Sequence, residues 1–202
     1  VKRPLAVSWR YLIIYGLTVG VGQFSCLFYA MNIGLSAGTA SVILQSQVFF
    51  TAFFAALLLK EPLKLNHIIG LCTAIIGLIL ISGILLQDNM AIPLPALIIA
   101  LVGAAFWAIS NIIVRFASNK AVQQGQNIDM FALIVWSSLI PPIPLLFLST
   151  FLDSPSVLME ALRNLNGQSI FSVLYLAVAA TWFGYGVWSY LLAKYPTAKV
   201  AP

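Results

Sequence analysis

Apolar residues are gathered along this chain into six long blocks separated by short polar segments. Each block holds about 20 residues or more, which is the length that an α-helix needs to cross the hydrocarbon core of a bilayer. The blocks are continuous, whereas the strands of a membrane barrel alternate apolar and polar residues. The pattern predicts an all-α fold, a polytopic membrane helix bundle with six transmembrane helices. We place the spans near residues 11–32, 37–59, 66–86, 94–116, 129–151 and 169–192.

Two further segments refine this plan. In the fifth span, SSLIPPIPLL contains Pro141, Pro142 and Pro144, which lack a backbone N–H donor, so the helix is expected to break there. Such broken helices line binding sites in many transporters, but a plain kink is an equally good interpretation. In the following loop, SPSVLMEALRNL predicts a short helix that begins at Ser154 and Pro155 and lies on the membrane surface.

The composition excludes a soluble domain. The 202 residues are 61% hydrophobic and only 7% charged, whereas a soluble globular domain carries about 25% charged residues. So few charged side chains cannot cover a surface that faces water. The blocks are therefore interpreted as membrane spans and not as the core of a soluble protein.

The basic residues predict how the chain is oriented. Six spans place both ends on one side, and Lys and Arg in short loops mark the cytoplasmic side. One side carries nine basic residues and the other carries only Arg163, so both ends are predicted to be cytoplasmic. The net charge of +5 is then a topology signal, and no nucleic-acid partner is expected. The nine residues are Lys2, Arg3, Arg10, Lys60, Lys64, Arg115, Lys120, Lys194 and Lys199.

The second span contains an unusual stretch, LQSQVFF, in which Gln45 and Gln47 lie two positions apart. At about 100° per residue, Gln45 shares a face with small residues that include Ser41, and Gln47 falls on the opposite face beside Phe50. Small residues permit close helix approach, so the Gln45 face is expected to point into the bundle and the Gln47 face toward lipid or a peripheral helix. A buried amide in hydrocarbon needs a partner. Gln45 is therefore either a substrate contact or half of an interhelical hydrogen bond.

Three more spans each turn small or polar residues to one face. Together with the second span, these faces predict a central cavity lined by amides, hydroxyls and aromatic rings, which suits a small polar solute that is zwitterionic or neutral. The two tryptophans have a second interpretation as ordinary packing or interface anchors. The candidate substrate-binding residues are Gln23, Ser41, Gln45, Trp107, Asn111, Tyr185 and Trp188.

Catalytic chemistry is poorly supported by the sequence. It contains no HExxH motif, no Ser/His/Asp arrangement and no Gly-rich phosphate loop. The single histidine, His67, has no second ligand, so we expect no metal, no cofactor and no enzyme activity. No acidic or basic residue lies mid-membrane, where proton-coupled transporters commonly carry one. Any coupling within this chain would have to use groups at the cytoplasmic mouth, such as Glu61 or Asp129.

The end of the chain repeats an earlier segment. AKYPTAKVAP resembles the stretch around NIGLSAGTAS, which leads into the second span. Because an odd number of spans separates the copies, they are expected to run in opposite directions, as repeated transporter halves often do. The chain is therefore predicted to be a fragment cut inside a repeat. The alignment pairs Tyr29 with Tyr190, Ser36 with Thr197, Ala37 with Ala198 and Ala40 with Ala201.

The chain resembles the EamA family of the drug/metabolite transporter superfamily, and within it the bacterial exporters of O-acetylserine and cysteine. The resemblance rests on SAGTASVILQSQVFFTAFFAALLLKEPL, IVWSSLIPPIPLLF and YLAVAATWFGYGVWSYLLAKYPTAKVAP. It implies ten helices in two inverted five-helix repeats in a bacterial inner membrane. Residues 1–92 would then hold the last three helices of repeat one and residues 93–202 the first three of repeat two, with two spans missing at each end.

Three functions are weighed. The first is a secondary transporter that exports small amino-acid-like metabolites of the cysteine and O-acetylserine class by alternating access, with the small polar metabolite and the lipid bilayer as its partners. The second is a non-transport scaffold or receptor-like subunit, and the third is an enzyme acting on lipid or prenyl substrates. The repeat and the inward polar faces favour the first. We then expect Gln45→Leu to lower transport more than Gln47→Leu, and the sequence leaves open whether two copies form a homodimer.

Overall fold

The structure, a computed structural model, describes residues 7–62, 65–81, 92–126, 128–152 and 155–200. Within these ranges the chain is all-α and contains no strand, as the sequence predicts. The helices are α1 (Trp9–Asn32), α2 (Ala37–Leu59), α3 (Leu65–Ile81), α4 (Leu94–Gln123), α5 (Met130–Phe151), α6 (Pro155–Arg163), α7 (Gly167–Lys194) and α8 (Thr197–Val200).

Five helices, α1, α2, α4, α5 and α7, are long and apolar enough to cross a membrane. They match five of the six predicted spans, although α4 continues to Gln123, beyond the predicted end. The third predicted span coincides with α3, which has only 17 described residues. Residues 82–86 of that prediction lie outside the described part of the chain, so the predicted count of six is not reached. The short helix predicted after the fifth span is present as α6, although Ser154 lies outside the described residues.

The central helix is α4, which packs against α1, α2 and α7. A Cβ atom added to Gly103 would lie 3.1 Å from the Cβ of Cys26 and 3.3 Å from the carbonyl oxygen of Gln23, so α1 crosses α4 at very short range. Small side chains permit this approach. The small residues of α4 confirm the prediction that this helix turns a small-residue face toward the interior of the bundle. The fully buried alanines of α4 recur at every fourth position, at Ala96, Ala100, Ala104 and Ala108.

Four of the long helices are irregular in the middle. α5 is interrupted by a turn after Ser137 and resumes at Pro142, so the break predicted from the prolines is confirmed. α2 tightens into a turn at Gln45 and Ser46. α1 and α7 instead widen into π-helical segments, Gly16–Gln23 and Leu176–Tyr185. π-helical turns are rare and are often found at functional sites.

Large apolar surfaces of the chain remain exposed. In α3, Leu65 is 70% and Ile76 is 59% exposed, and in α7, Phe171 and Phe183 are both 68% exposed. Surfaces of this kind are stable next to lipid or other apolar helices and are costly in water. They agree with the composition, which indicates a chain that lies in a membrane.

Candidate functional site

A polar network joins three helices at the centre of the bundle. The amide nitrogen of Asn111 on α4 donates to Gln47 Oε1 at 2.9 Å and to Thr51 Oγ1 at 3.1 Å, both on α2. The indole N–H of Trp188 on α7 donates to Asn111 Oδ1 at 2.9 Å. Gln47, Thr51 and Asn111 are each at most 2% exposed. In a low-dielectric interior each buried amide needs such partners, and the network satisfies both ends of the Asn111 side chain.

The position of Gln47 contradicts the sequence analysis. The prediction that Gln47 faces lipid or a peripheral helix is wrong, because its side chain is 2% exposed and bonded to Asn111. The face is already misassigned before the turn within α2, because Ile43, four residues before Gln47, is 1% exposed, whereas Gln45 is exposed. The backbone amide of Gln45 donates to the carbonyl of Val42 at 3.1 Å, and that of Ser46 to the carbonyl of Ile43 at 3.0 Å, three residues earlier. Two residues at about 120° instead of about 100° each add only about 40°, so the turn alone does not bring Gln47 inward. The face of α2 that carries Ile43 and Gln47 is the one that packs against α4.

A cavity of about 410 Å³ lies beside this network, between α2, α4 and α7. Its volume is within the range of small-molecule sites, about 300–1,000 Å³. The walls combine amide groups, aromatic rings and small residues, and no residue that lines it carries a formal charge. The lining residues are Gln45, Gln47, Val48, Trp107, Ala180, Gly184, Tyr185 and Trp188.

Four of the seven predicted site residues, Gln45, Trp107, Tyr185 and Trp188, line this cavity. Asn111 lies behind the wall and holds two lining residues in place. The remaining two predicted residues are not part of the lining. Whether any of these residues contacts a substrate stays a prediction.

Gln23 and Ser41 are the two predicted residues outside the cavity wall. Gln23 is 2% exposed, and its amide nitrogen donates to the hydroxyl of Tyr185 at 3.4 Å. Ser41 is exposed, and its hydroxyl donates to the carbonyl of Gly38 at 2.7 Å. The expectation that Ser41 faces the bundle interior is therefore wrong, since the N-terminal part of α2 presents this side chain outward.

The sequence analysis missed Gln47 and Thr51. Thr51 follows Gln47 by one helical turn, and its hydroxyl donates to Gln47 Oε1 at 3.3 Å. This spacing of two polar residues on one helical face is the signal that could have identified them, since neighbours four residues apart lie on the same side of a helix.

Away from the cavity, an ion pair joins Arg115, two turns before the end of α4, to Glu61, which follows α2. Arg115 Nη2 lies 2.9 Å from Glu61 Oε1, and the two side chains are 14% and 25% exposed. Arg115 Nη1 also donates to the carbonyl of Leu192 on α7 at 3.2 Å. The guanidinium group therefore connects three helices at one end of the bundle.

Comparison with known proteins identifies the family. Residues 1–83 match the EamA-like transporter family. A probable amino-acid metabolite efflux pump of Salmonella typhimurium is 38% identical over 203 aligned residues, which cover 100% of this chain and 66% of that protein. The chain belongs to the EamA-like transporter family.

Two further relatives match nearly the whole chain. A probable amino-acid metabolite efflux pump of Escherichia coli is 35% identical over 205 residues, covering 100% of this chain and 66% of its own length. An uncharacterized transporter of Bacillus subtilis is 24% identical over 207 residues, covering 99% of this chain and 65% of its own. The chain thus spans just under two thirds of the length of the curated relatives it matches and, with its apolar helices, is a multi-pass membrane protein. No solved structure matches this EamA-like chain.

Proposed function

We propose that the protein is an inner-membrane secondary transporter that exports small amino-acid-like metabolites, of the cysteine and O-acetylserine class, by alternating access. The observation that carries this proposal is the cavity of about 410 Å³ between α2, α4 and α7. Its neutral amide and aromatic lining suits a solute whose own charges cancel, because an isolated ion in such a site would have no charged partner. The names of the Salmonella typhimurium and Escherichia coli relatives support the solute class.

The second part of the proposal concerns the repeat. We propose that residues 1–92 and 93–202 belong to two inverted five-helix repeats of a ten-helix transporter. The alignment that pairs Tyr29 with Tyr190 also superposes the two π-helical segments, Gly16–Gln23 and Leu176–Tyr185. Two rare helix irregularities at equivalent positions support a common origin for α1 and α7. On this topology the end of the bundle that carries Arg115 and Glu61 faces the cytoplasm, in agreement with the positive-inside rule.

Export of amino acids by the full-length protein tests the proposal. Cells that lack their own amino-acid exporters are fed dipeptides to raise the internal amino-acid pool, and amino acids that appear in the medium are measured by mass spectrometry. We expect Gln45→Leu to lower efflux about 5- to 10-fold, since one hydrogen bond to a polar solute contributes about 1–1.5 kcal/mol. Gln123→Leu, which changes an exposed glutamine at the end of α4, is the matched control and should leave efflux unchanged.

Gln47→Leu separates binding from folding. The carbonyl oxygen of Gln47 is already bonded to Asn111 and Thr51, whereas Gln45 is exposed in the cavity wall. Gln47→Leu should therefore reduce the amount of folded protein, and at equal expression it should lower transport less than Gln45→Leu. Normal membrane insertion without efflux of any amino-acid-like solute would favour a scaffold or receptor-like subunit. Equal efflux by the wild-type protein and the Gln45→Leu variant would show that the solute does not bind in this cavity.

A further inference from the structure

A second cavity lies on the other side of α7. It has a volume of about 230 Å³ and lies between α1, α5 and α7, next to the break in α5 and the π-helical segment of α1. Its lining includes Val19, Phe24, Ile134 and Leu145, together with the hydroxyls of Ser137 and Thr181. This cavity is less polar than the first, because no amide side chain lines it. It is suited to an apolar group and not to the charged groups of an amino acid.

One side chain, Tyr185, lines both cavities. Its hydroxyl accepts a hydrogen bond from the amide nitrogen of Gln23 at 3.4 Å. Its ring meets the ring of Trp107 edge to face, with 5.9 Å between the centroids. Tyr185 is therefore held from two sides, by α1 through its hydroxyl and by α4 through its ring.

The hydrogen bond that holds Tyr185 joins the ends of the two π-helical segments. Gln23 is the last residue of the segment in α1, and Tyr185 is the last residue of the segment in α7. Gln23 is 2% exposed, and its side-chain carbonyl oxygen, Oε1, has no hydrogen-bond partner within the described part of the chain. If Tyr185 moved away, the amide nitrogen would lose its bond as well, and a fully unpaired amide would remain in the apolar interior. Such a group is strongly unfavourable, so Gln23 keeps Tyr185 in place.

We propose that Tyr185 is the partition between the two cavities and that it sets the size limit of the transported solute. This inference rests on the proposed function and adds a specificity-determining residue to it. The polar groups of the solute occupy the first cavity, and Tyr185 closes the way to the second. With the polar groups of the solute held by the amides of the first cavity, its side chain is directed toward the tyrosine ring, and a larger apolar side chain needs the space behind that ring.

Efflux of amino acids of increasing size by the full-length protein tests the size limit. Tyr185→Ala should raise the ratio of leucine to alanine efflux by about 10-fold or more, since each methylene that becomes buried favours binding by about fourfold. Tyr185→Leu removes the ring and keeps an apolar side chain, so it replaces the alanine variant if that variant does not fold. Tyr190→Ala is the control, because Tyr190 is exposed on the same helix and lines neither of these cavities. It should leave the ratio unchanged.

A second measurement does not depend on transport. Thr181→Cys places a thiol in the second cavity, in a protein whose Cys26 and Cys72 are replaced by alanine. A positively charged methanethiosulfonate reagent should label position 181 slowly when Tyr185 is present, and about 10-fold faster with Tyr185→Ala.

The two measurements separate the two proposals. An unchanged labelling rate, or an unchanged size ratio in a variant that transports, overturns the partition. If the wild-type protein exports no solute but Tyr185→Ala still speeds labelling, the partition stands and the proposed function fails.

Discussion

Replacement of Asn111 by leucine tests how the three helices around the cavity are held together. Asn111 is 2% exposed and takes part in three hydrogen bonds, two to α2 and one from Trp188 on α7. Leucine has a similar volume and no polar atom. The substitution therefore removes the network while leaving little cavity behind.

The expected loss of stability follows from the bonds that are removed. Hydrogen bonds between membrane helices contribute about 0.6 kcal/mol each on average, so three of them amount to about 2 kcal/mol. Gln47 keeps the bond from Thr51, but the indole N–H of Trp188 loses the acceptor described for it. A partly buried donor without an acceptor adds about 1–2 kcal/mol. We therefore expect Asn111→Leu to lower the free energy of unfolding by about 3–4 kcal/mol.

The measurement is unfolding of the full-length protein in mixed micelles by titration with sodium dodecyl sulfate, followed by tryptophan fluorescence. Asn32→Leu, at the exposed end of α1, is the control and should change the free energy of unfolding by less than about 0.5 kcal/mol. In a Trp188→Phe background, the loss caused by Asn111→Leu should shrink by about 2 kcal/mol, since the shared bond and the unpaired indole N–H are both absent there. A loss below about 1 kcal/mol, or the same loss in both backgrounds, would refute the reasoning.

Two further predictions concern other contacts between helices. A Cβ atom at Gly20 would overlap the ring of Pro141, so Gly20→Ala should destabilise the protein by about 1–3 kcal/mol in the same titration. A Cβ atom at Gly38 would have no other atom within 4 Å, so Gly38→Ala should not destabilise the protein. Equal unfolding midpoints for the two variants would contradict the close contact between α1 and α5. Glu61→Gln should lower stability by about 1–2 kcal/mol, between the values for exposed and buried ion pairs. The double variant Glu61→Arg with Arg115→Glu should recover part of the lost stability. If it recovers none, the ion pair does not contribute to stability.

The helices could be predicted from the sequence because their cause is local. The thickness of a bilayer fixes the length of an apolar block, and the prolines of the fifth span predict the break in that helix. The turn within α2 has no such signal, since neither glycine nor proline stands at Gln45 or Ser46. The π-helical segment of α1 contains three glycines and that of α7 contains one, but a glycine does not by itself predict a wide turn.

The site was harder to predict than the helices. Gln45, Trp107, Tyr185 and Trp188 could be placed together because each shares a helix face with other small or polar residues. The burial of Gln47 could not, because it depends on which face of α2 packs against α4 and on a partner more than sixty positions away, Asn111. Contacts of this kind depend on how helices pack, and the periodicity of one helix does not contain that information.

The length of α4 determines where its charged end can lie. At a rise of about 1.5 Å per residue, its 30 residues extend over about 45 Å, which exceeds the hydrocarbon thickness of about 30 Å. With Leu94 at one boundary, Arg115 lies about 32 Å further along, at the opposite boundary, and the last two turns extend into the headgroups and the water beyond. The guanidinium of Arg115 and the carboxylate of Glu61 are then within reach of dissolved ions from one face of the bilayer only. Raising the ionic strength on that face should weaken the ion pair between Arg115 and Glu61, while the same salt on the other face should leave it unchanged.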